Sequence, residues 1–247
     1  MKTVCISQAR MGSSRLPGKV LLPIHGQPML FYHLRRLQQA TEVDTVAVAT
    51  THLMEDDAIE LFTVNLGVPC HRGPVEDVLT RFFDCAVRHD PDIVVRVTAD
   101  CPLIDPSLVD YAVRSLKDAP PEIDYMNLSL SHFPRGMDVE VMRFSALAQA
   151  FKEATDPYAR EHVTPFLYGH PERFGWRQLE TDTPAAQYRF CVDEQRDLDL
   201  IAELLDRLPD GDLSFTWHDV IRLMQADPTL EKINGGVAQK PSQRAGG

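Results

Sequence analysis

The first 41 residues contain no aspartate or glutamate, while Lys2, Arg10, Arg15, Lys19, Arg35 and Arg36 give that segment a local charge of +6. The whole chain of 247 residues has the opposite bias, with 25 Lys+Arg against 36 Asp+Glu and a net charge of -11. Such a protein repels nucleic-acid phosphates and anionic membranes, so its cationic opening segment points to a small, local anion site. Cysteine is sparse: Cys5, Cys70, Cys85, Cys101 and Cys191 are odd in number and form no C-x-x-C pair, which argues against a zinc knuckle or a disulfide framework. No run approaches 18 apolar residues, and the apolar start is too short for a secretory signal. A soluble cytoplasmic protein with reduced thiols is expected. At 44% hydrophobic and 25% charged residues, the chain supports a sizeable core rather than a disordered or fibrous state.

Strand and helix patterns alternate along the first hundred residues. Thr3 to Ser7 reads as a strand running into a loop from Arg10 to Lys19, and the first helix is expected from Pro28, with Leu30, Leu34 and Leu37 on one face. Arg35 and Arg36 are assigned to that helix's surface. A strand over Asp44 to Thr50, a helix over Glu55 to Leu66 stopped by Gly67, a helix over Val75 to His89 and a strand over Asp92 to Thr98 follow. This order implies βαβ units around a largely parallel sheet, a three-layer α/β architecture. Beyond Pro120-Pro121 the pattern loosens. Strands are expected over Ile123 to Leu128, Asp138 to Met142, Trp176 to Leu179 and Gln187 to Val192, and helices over Phe144 to Glu153, Tyr158 to Tyr168, Glu194 to Leu208 and Trp217 to Gln225. Residues 1–234 are expected to form one domain and 235–247 a disordered tail.

The segment Gln8-Ala9-Arg10-Met11-Gly12-Ser13-Ser14-Arg15-Leu16-Pro17-Gly18-Lys19 follows the first strand, at the sheet end where open α/β folds bind ligands. Glycines let backbone N–H groups approach phosphate oxygens, serines add donors, and Arg10, Arg15 and Lys19 neutralise charge. The loop is not a P-loop, because five residues separate Gly12 from Gly18 and Val20 follows Lys19. A G-x-G-x-x-G fingerprint is also missing, and Pro23 and Pro28 postpone the helix that either motif would launch. Asp100 and Asp193 each follow a predicted strand, facing the same crevice. Two carboxylates opposite a phosphate loop suit Mg²⁺, which is usually held by one or two carboxylates, substrate phosphates and water. Asp193 equally suits a helix cap and Asp100 a turn. Pro134 to Glu140 supplies a turn, Arg135 for an acceptor's carboxylate, and Asp138 and Glu140 on one strand face for sugar hydroxyls. Arg160-Glu161-His162 forms either another part of that wall or a subunit contact.

Gln8 to Leu21 resembles the signature loop of the cytidylyltransferases that make CMP-activated sugars, the CMP-Kdo and CMP-sialate synthetases, and most closely their spore-coat polysaccharide biosynthesis F relatives. The likeness extends over Val94 to Pro106, Pro134 to Val141, Arg160 to Pro165 and Val192 to Leu198. It implies a nucleotide-diphospho-sugar transferase-like, Rossmann-like α/β/α fold with a mixed, mainly parallel sheet. It also implies a cytoplasmic, homodimeric enzyme that transfers CMP from CTP to a hydroxyl of an acidic sugar in surface polysaccharide biosynthesis. In such proteins the loop holds CTP, here through Ala9, Arg10, Gly12, Ser13, Arg15 and Lys19, and Mg²⁺ is bound by two aspartates that map to Asp100 and Asp193. The resemblance further assigns Arg72 to the nucleotide pocket, with Arg81 either beside it or in a surface salt bridge to Asp77. Arg10, Arg15, Lys19 and Asp100 are the expected catalytic residues, and Arg135, Asp138, Glu140, Glu161 and His162 face the acceptor. Where CMP-Kdo synthetases carry Gly-Asp-Glu-Pro, this chain has Ala99-Asp100-Cys101-Pro102, which makes Kdo itself a doubtful substrate and leaves Cys101 as a small filler near the site. Two other activities fit the same architecture: a glycosyltransferase using a finished nucleotide sugar, although its Asp-x-Asp is missing, and a nucleotide-binding module without catalysis.

Overall fold

A computed structural model describes residues 1–209 and 213–238. Seven strands form the sheet: β1 (Thr3–Gln8), β2 (Thr45–Thr51), β3 (Cys70–Gly73), β4 (Ile93–Thr98), β5 (Ile123–Leu128), β6 (Glu140–Arg143) and β7 (Gly175–Leu179). Their order is β3-β2-β1-β4-β6-β5-β7. The first four are parallel, β6 runs antiparallel to both β4 and β5, and β7 is parallel to β5. The helices are α1 (Met29–Leu37), α2 (Asp57–Asn65), α3 (Val78–Val87), α4 (Pro106–Asp118), α5 (Phe144–Glu153), α6 (Pro157–His162), α7 (Pro165–Tyr168), α8 (Gln195–Arg207), α9 (Trp217–Ala226) and α10 (Glu231–Asn234). This is the expected three-layer α/β/α, Rossmann-like architecture.

Strand alternation feeds two separate cores. Cys5, Val48, Val95, Val97 and Val141 pack under α1, α2, α4, α8 and α9, while Val4, Ile6, Ala47, Val94 and Met142 pack under α3, α5 and α7. Pro28 stands at the N-cap of α1, as its fixed φ and missing N–H favour. Arg36, expected on the surface of that helix, is instead fully buried. Its guanidinium stacks 3.7 Å from the Phe215 ring centre and donates to the carbonyls of Ile104, Leu213 and Phe215.

Three other expectations are corrected. Gln187 to Val192 is not a sheet strand; it runs past the 134–137 turn with one bridge, Arg135 to Arg189. Gly136 (φ 99°) allows this crossing, because a Cβ there would lie 2.5 Å from the Phe190 carbonyl carbon. The expected strand over Asp138 to Met142 begins only at Glu140, since Asp138 turns back to accept from the Gly136 N–H. The helix expected over Tyr158 to Tyr168 is two short helices, broken by the positive φ of Val163 and by Pro165. Helix α4 has no counterpart among the sequence expectations, although Asp105 caps it, Pro106 opens it, and Leu108, Val109, Ala112, Val113 and Leu116 bury one face. The tail expected from 235 lies, from residue 239 onward, outside the described residues.

Candidate active site

The loop after β1 is shaped by its own backbone. Gly18 takes a left-handed conformation (φ 69°) and its N–H donates to the Met11 carbonyl at 2.9 Å, closing the loop so that Lys19 enters a short 3₁₀ turn pointing back over the sheet. Asp56 anchors the other flank by accepting from the Met11 N–H at 2.6 Å.

Lys19 is the centre of the site. Its Nζ lies 2.8 Å from Asp100 Oδ2, 2.9 Å from Asp193 Oδ1 and 2.6 Å from the Val192 carbonyl oxygen. Asp100 is held by Thr98 Oγ1, which donates to Oδ1 at 2.6 Å. Asp193 also pairs with Arg15 at 2.7 Å and Arg189 at 2.6 Å, and Arg189 is braced by Asp197 at 3.1 Å. Burial alone would raise the Asp100 carboxyl, but the Lys19 ammonium beside it holds it well below the usual carboxylate range. The same two influences, in the same order, leave Asp193 depressed. Burial would lower Lys19, and the two carboxylates overcome it and raise the ammonium. All three groups therefore stay charged at neutral pH.

A cavity of about 220 Å³ opens beside this triad, lined by Arg10, Gly12, Ser13, Arg15, Lys19, Asp100 and Asp193. A larger cavity of about 550 Å³ continues from it toward Arg135, Asp138, Glu140, Glu161 and His162. The structure thus brings together most of the residues proposed from sequence. Ala9 lies just beneath, buried, with its N–H spent on the Ala49 carbonyl at 3.2 Å.

Arg72 does not line either cavity. Its guanidinium donates to the Thr51 and Leu53 carbonyls and pairs with Asp57 at 2.5 Å and Glu60 at 3.0 Å, clamping β3 to α2. Arg81 makes no surface bridge to Asp77: it is fully buried, donates to the Pro74 carbonyl at 2.6 Å, and has been driven down to about 10 by burial. Asp77 instead caps α3 and pairs with Arg160, whose helix α6 ends rather than begins at Glu161-His162. Asp138 pairs with Arg135 at 2.9 Å. Glu140 lines the cavity but its carboxylate is occupied, accepting from Tyr125 Oη at 2.6 Å, Thr164 Oγ1 at 2.8 Å and Arg96. Arg96, Tyr158, Thr164 and Tyr168 also line it, and sequence reasoning missed them. A visible signal existed for Arg96, a lone cation inside the apolar strand Ile93–Thr98.

Asp100 and Asp193 already converge on one cation, Lys19 Nζ, and both are ionised, so this donor pair suits a divalent ion. Among the described residues no group of three or more His, Cys, Asp or Glu could hold a metal, so the remaining ligands would be phosphate oxygens and water. Burial pushes the Cys101 thiol well above its ordinary value, which fits a filler and not a nucleophile.

A cationic loop after β1, a carboxylate just past β4 and a second one from the 187–193 segment meet at the carboxyl edge of a mainly parallel sheet, where α/β proteins that handle nucleotides bind their ligands. The cytidylyltransferase family model matches residues 4–223, and the chain belongs to that family. It is 30% identical over 233 residues to the spore coat polysaccharide biosynthesis protein SpsF of Bacillus subtilis, covering 90% of this chain and 94% of SpsF. A 3-deoxy-manno-octulosonate cytidylyltransferase of Pelobacter propionicus is 35% identical over 122 residues, 49% of this chain and 46% of that enzyme. The structure of a cytidylyltransferase from Leptospira borgpetersenii superposes with a TM-score of 0.89 at 30% identity, over 97% of this chain and 100% of that one. The protein is therefore a nucleotidyltransferase, which decides against the glycosyltransferase and non-catalytic readings. Among the described residues no helix is long and apolar enough to cross a membrane.

Proposed function

We propose that this enzyme transfers CMP from CTP to a hydroxyl of an acidic sugar, with Mg²⁺ held by Asp100 and Asp193, and releases pyrophosphate. The observation that carries the reading is the convergence of Lys19, Asp100 and Asp193 beside the loop Arg10 to Lys19. The acceptor oxygen attacks the α-phosphorus, the bond from that phosphorus to the bridging oxygen breaks in line, pyrophosphate leaves, and the hydroxyl proton passes to water. Bound Mg²⁺ would neutralise phosphate charge. Arg10, Arg15 and Lys19 stabilise the negative charge that accumulates on the leaving group, and the loop glycines and Ser13 orient it. No covalent intermediate is required.

The acceptor occupies the larger cavity, whose wall presents Arg135, Asp138, Tyr158, Glu161, His162 and Thr164. An acidic-sugar acceptor is supported by the name of the Pelobacter relative, and a role in surface polysaccharide biosynthesis by that of SpsF. The reading includes residues 1–234 as one catalytic domain acting in the cytoplasm as a homodimer, as the resemblance implies. Pyrophosphate release is to be measured with each of the four triphosphates against a panel of acidic sugars. CTP-specific release that depends on Mg²⁺ is expected; Mg²⁺-independent binding of CTP, or equal use of all four triphosphates, would refute the reading.

A further inference from the structure

Strand β4 turns Ile93, Val95 and Val97 toward one core and Val94 toward the other, and on the Val94 face it continues with Arg96 and Thr98. A guanidinium on the inner face of a central strand is costly unless it is paired. Its pair stands directly across the ladder, where the β4–β6 register sets Arg96 opposite Glu140. Arg96 Nη1 donates to Glu140 Oε2, and the guanidinium lies 5.8 Å from the Phe82 ring centre. Glu140, only 2% exposed, is fixed in turn by Tyr125 and Thr164.

This arrangement does more than satisfy a buried carboxylate. Among the described residues Glu140 is the one hydrogen-bond acceptor that reaches Arg96, and the buried Nε has no partner. The side chain retains 11% exposure, and it lines the larger cavity and not the smaller one beside Lys19. Arg96 is therefore placed away from the CTP phosphates, at the acceptor end. Tyr125, Thr164 and Arg96 all donate to Glu140, whereas among the described residues one acceptor reaches the five N–H groups of the guanidinium. A planar, permanently charged fork in that state is suited to a carboxylate or phosphate oxygen pair, with hydrogen bonds about twice as strong as neutral ones.

We propose that Arg96 determines acceptor specificity by binding an anionic oxygen group of the acceptor, with Glu140, Tyr125 and Thr164 holding its guanidinium in place. This rests on the cytidylyl-transfer reading above and names the side chain that selects the acid. Arg135, the residue assigned that task from sequence, is engaged by Asp138.

The test is steady-state pyrophosphate release with CTP by wild type, Arg96→Lys and the double variant Arg96→Met/Glu140→Gln, which removes both charges and so strands neither. The probes are 3-deoxy-manno-octulosonate and glucuronate for a carboxylate, glucose 6-phosphate for a phosphate, and glucose as the neutral control; CTP affinity is measured separately by calorimetry. The expected result is an acid-selective wild type, with the acceptor KM raised at least 30-fold in the double variant, kcat changed less than tenfold and CTP affinity changed less than threefold. Arg96→Lys, which keeps the charge and the fold but loses the fork, should raise KM as well. An unchanged KM, a loss shared equally by CTP binding, a preference for glucose, or CTP binding without use of any acid would overturn the inference. A wild type that binds no CTP would instead overturn the cytidylyl-transfer reading on which it stands.

Discussion

Asp100 and Asp193 share one counter-ion: their nearest oxygens lie 2.8 and 2.9 Å from Lys19 Nζ. The ammonium sits where both carboxylates would reach a metal, so on the proposed reading a metal ion and Lys19 would compete for one location. Phosphate oxygens arriving in the adjacent cavity would give Lys19 a new partner and leave the carboxylates to a divalent ion.

Lys19→Met should lower turnover by about 10²- to 10³-fold, the usual loss when one preorganised charge-stabilising donor is removed. It should also strengthen binding of Mn²⁺ without nucleotide by at least about tenfold, or about 1.4 kcal/mol. Electron paramagnetic resonance of Mn²⁺ reads that gain directly, and a variant with wild-type metal affinity would show that Lys19 does not guard the pair.

His33 predicts the pH dependence of stability. It is fully buried, with Nδ1 2.9 Å from the Cys101 carbonyl oxygen and Nε2 2.8 Å from Ser7 Oγ. The carbonyl can only accept, so Nδ1 donates to it, and the neutral ring accepts from the Ser7 hydroxyl at Nε2. Burial lowers the imidazole from 6.5 to about 4. Below 6.5 the unfolded chain binds a proton that the folded chain refuses, so stability falls with pH between 6.5 and about 4, then levels off for this group. The loss amounts to about 3 kcal/mol, at about 1.4 kcal/mol per pH unit. Urea unfolding across that range should show the slope in wild type and its absence in His33→Asn.

Gly136→Ala should destabilise the fold by at least about 2 kcal/mol, because it adds left-handed backbone strain to a collision with the Phe190 and Cys191 backbone. The acceptor wall should suffer most. A shift in the urea midpoint together with a raised acceptor KM is expected, and a variant as stable as wild type would mean that the 134–137 turn and the 190–191 segment are free to separate.

Cys101→Ala should keep turnover within about threefold, since burial holds the thiol protonated at every physiological pH and the reaction needs no covalent nucleophile. Trapping of a nucleotide adduct on Cys101 by mass spectrometry would contradict this.

The loop from Arg10 to Lys19 and Asp100 were readable because each belongs to a local pattern, a strand followed by glycines, cations or a carboxylate at its carboxyl end, whereas Asp193 was picked out after an apolar run that forms no sheet strand. Roles set by distant partners were not. Arg36 has a sequence neighbour, Arg35, that is exposed, and the Phe215 ring, three carbonyls and the charges of Asp105 and Asp219, all far along the chain, make burial of Arg36 tolerable. Arg72 and Glu140 carry the right charge for a site, yet Glu60, Asp57, Arg96, Tyr125 and Thr164 occupy them. Gln187 to Val192 has strand composition, but the Gly136 turn meets it where a ladder partner would have to lie.

The brace behind Asp193 has a consequence for synthesis. Asp197 receives Arg189, and Asn234 Nδ2 donates to Asp197 Oδ1 and to the Arg189 carbonyl, both at 3.0 Å. A chain made from its amino terminus therefore carries the loop and Lys19 from the outset, but gains their second carboxylate only after Asp193 has left the ribosome and the brace only after Asn234 has. Between the synthesis of Asp100 and that of Asp193 the cationic loop has one carboxylate of its pair, and the full set of counter-charges exists only near the end of translation.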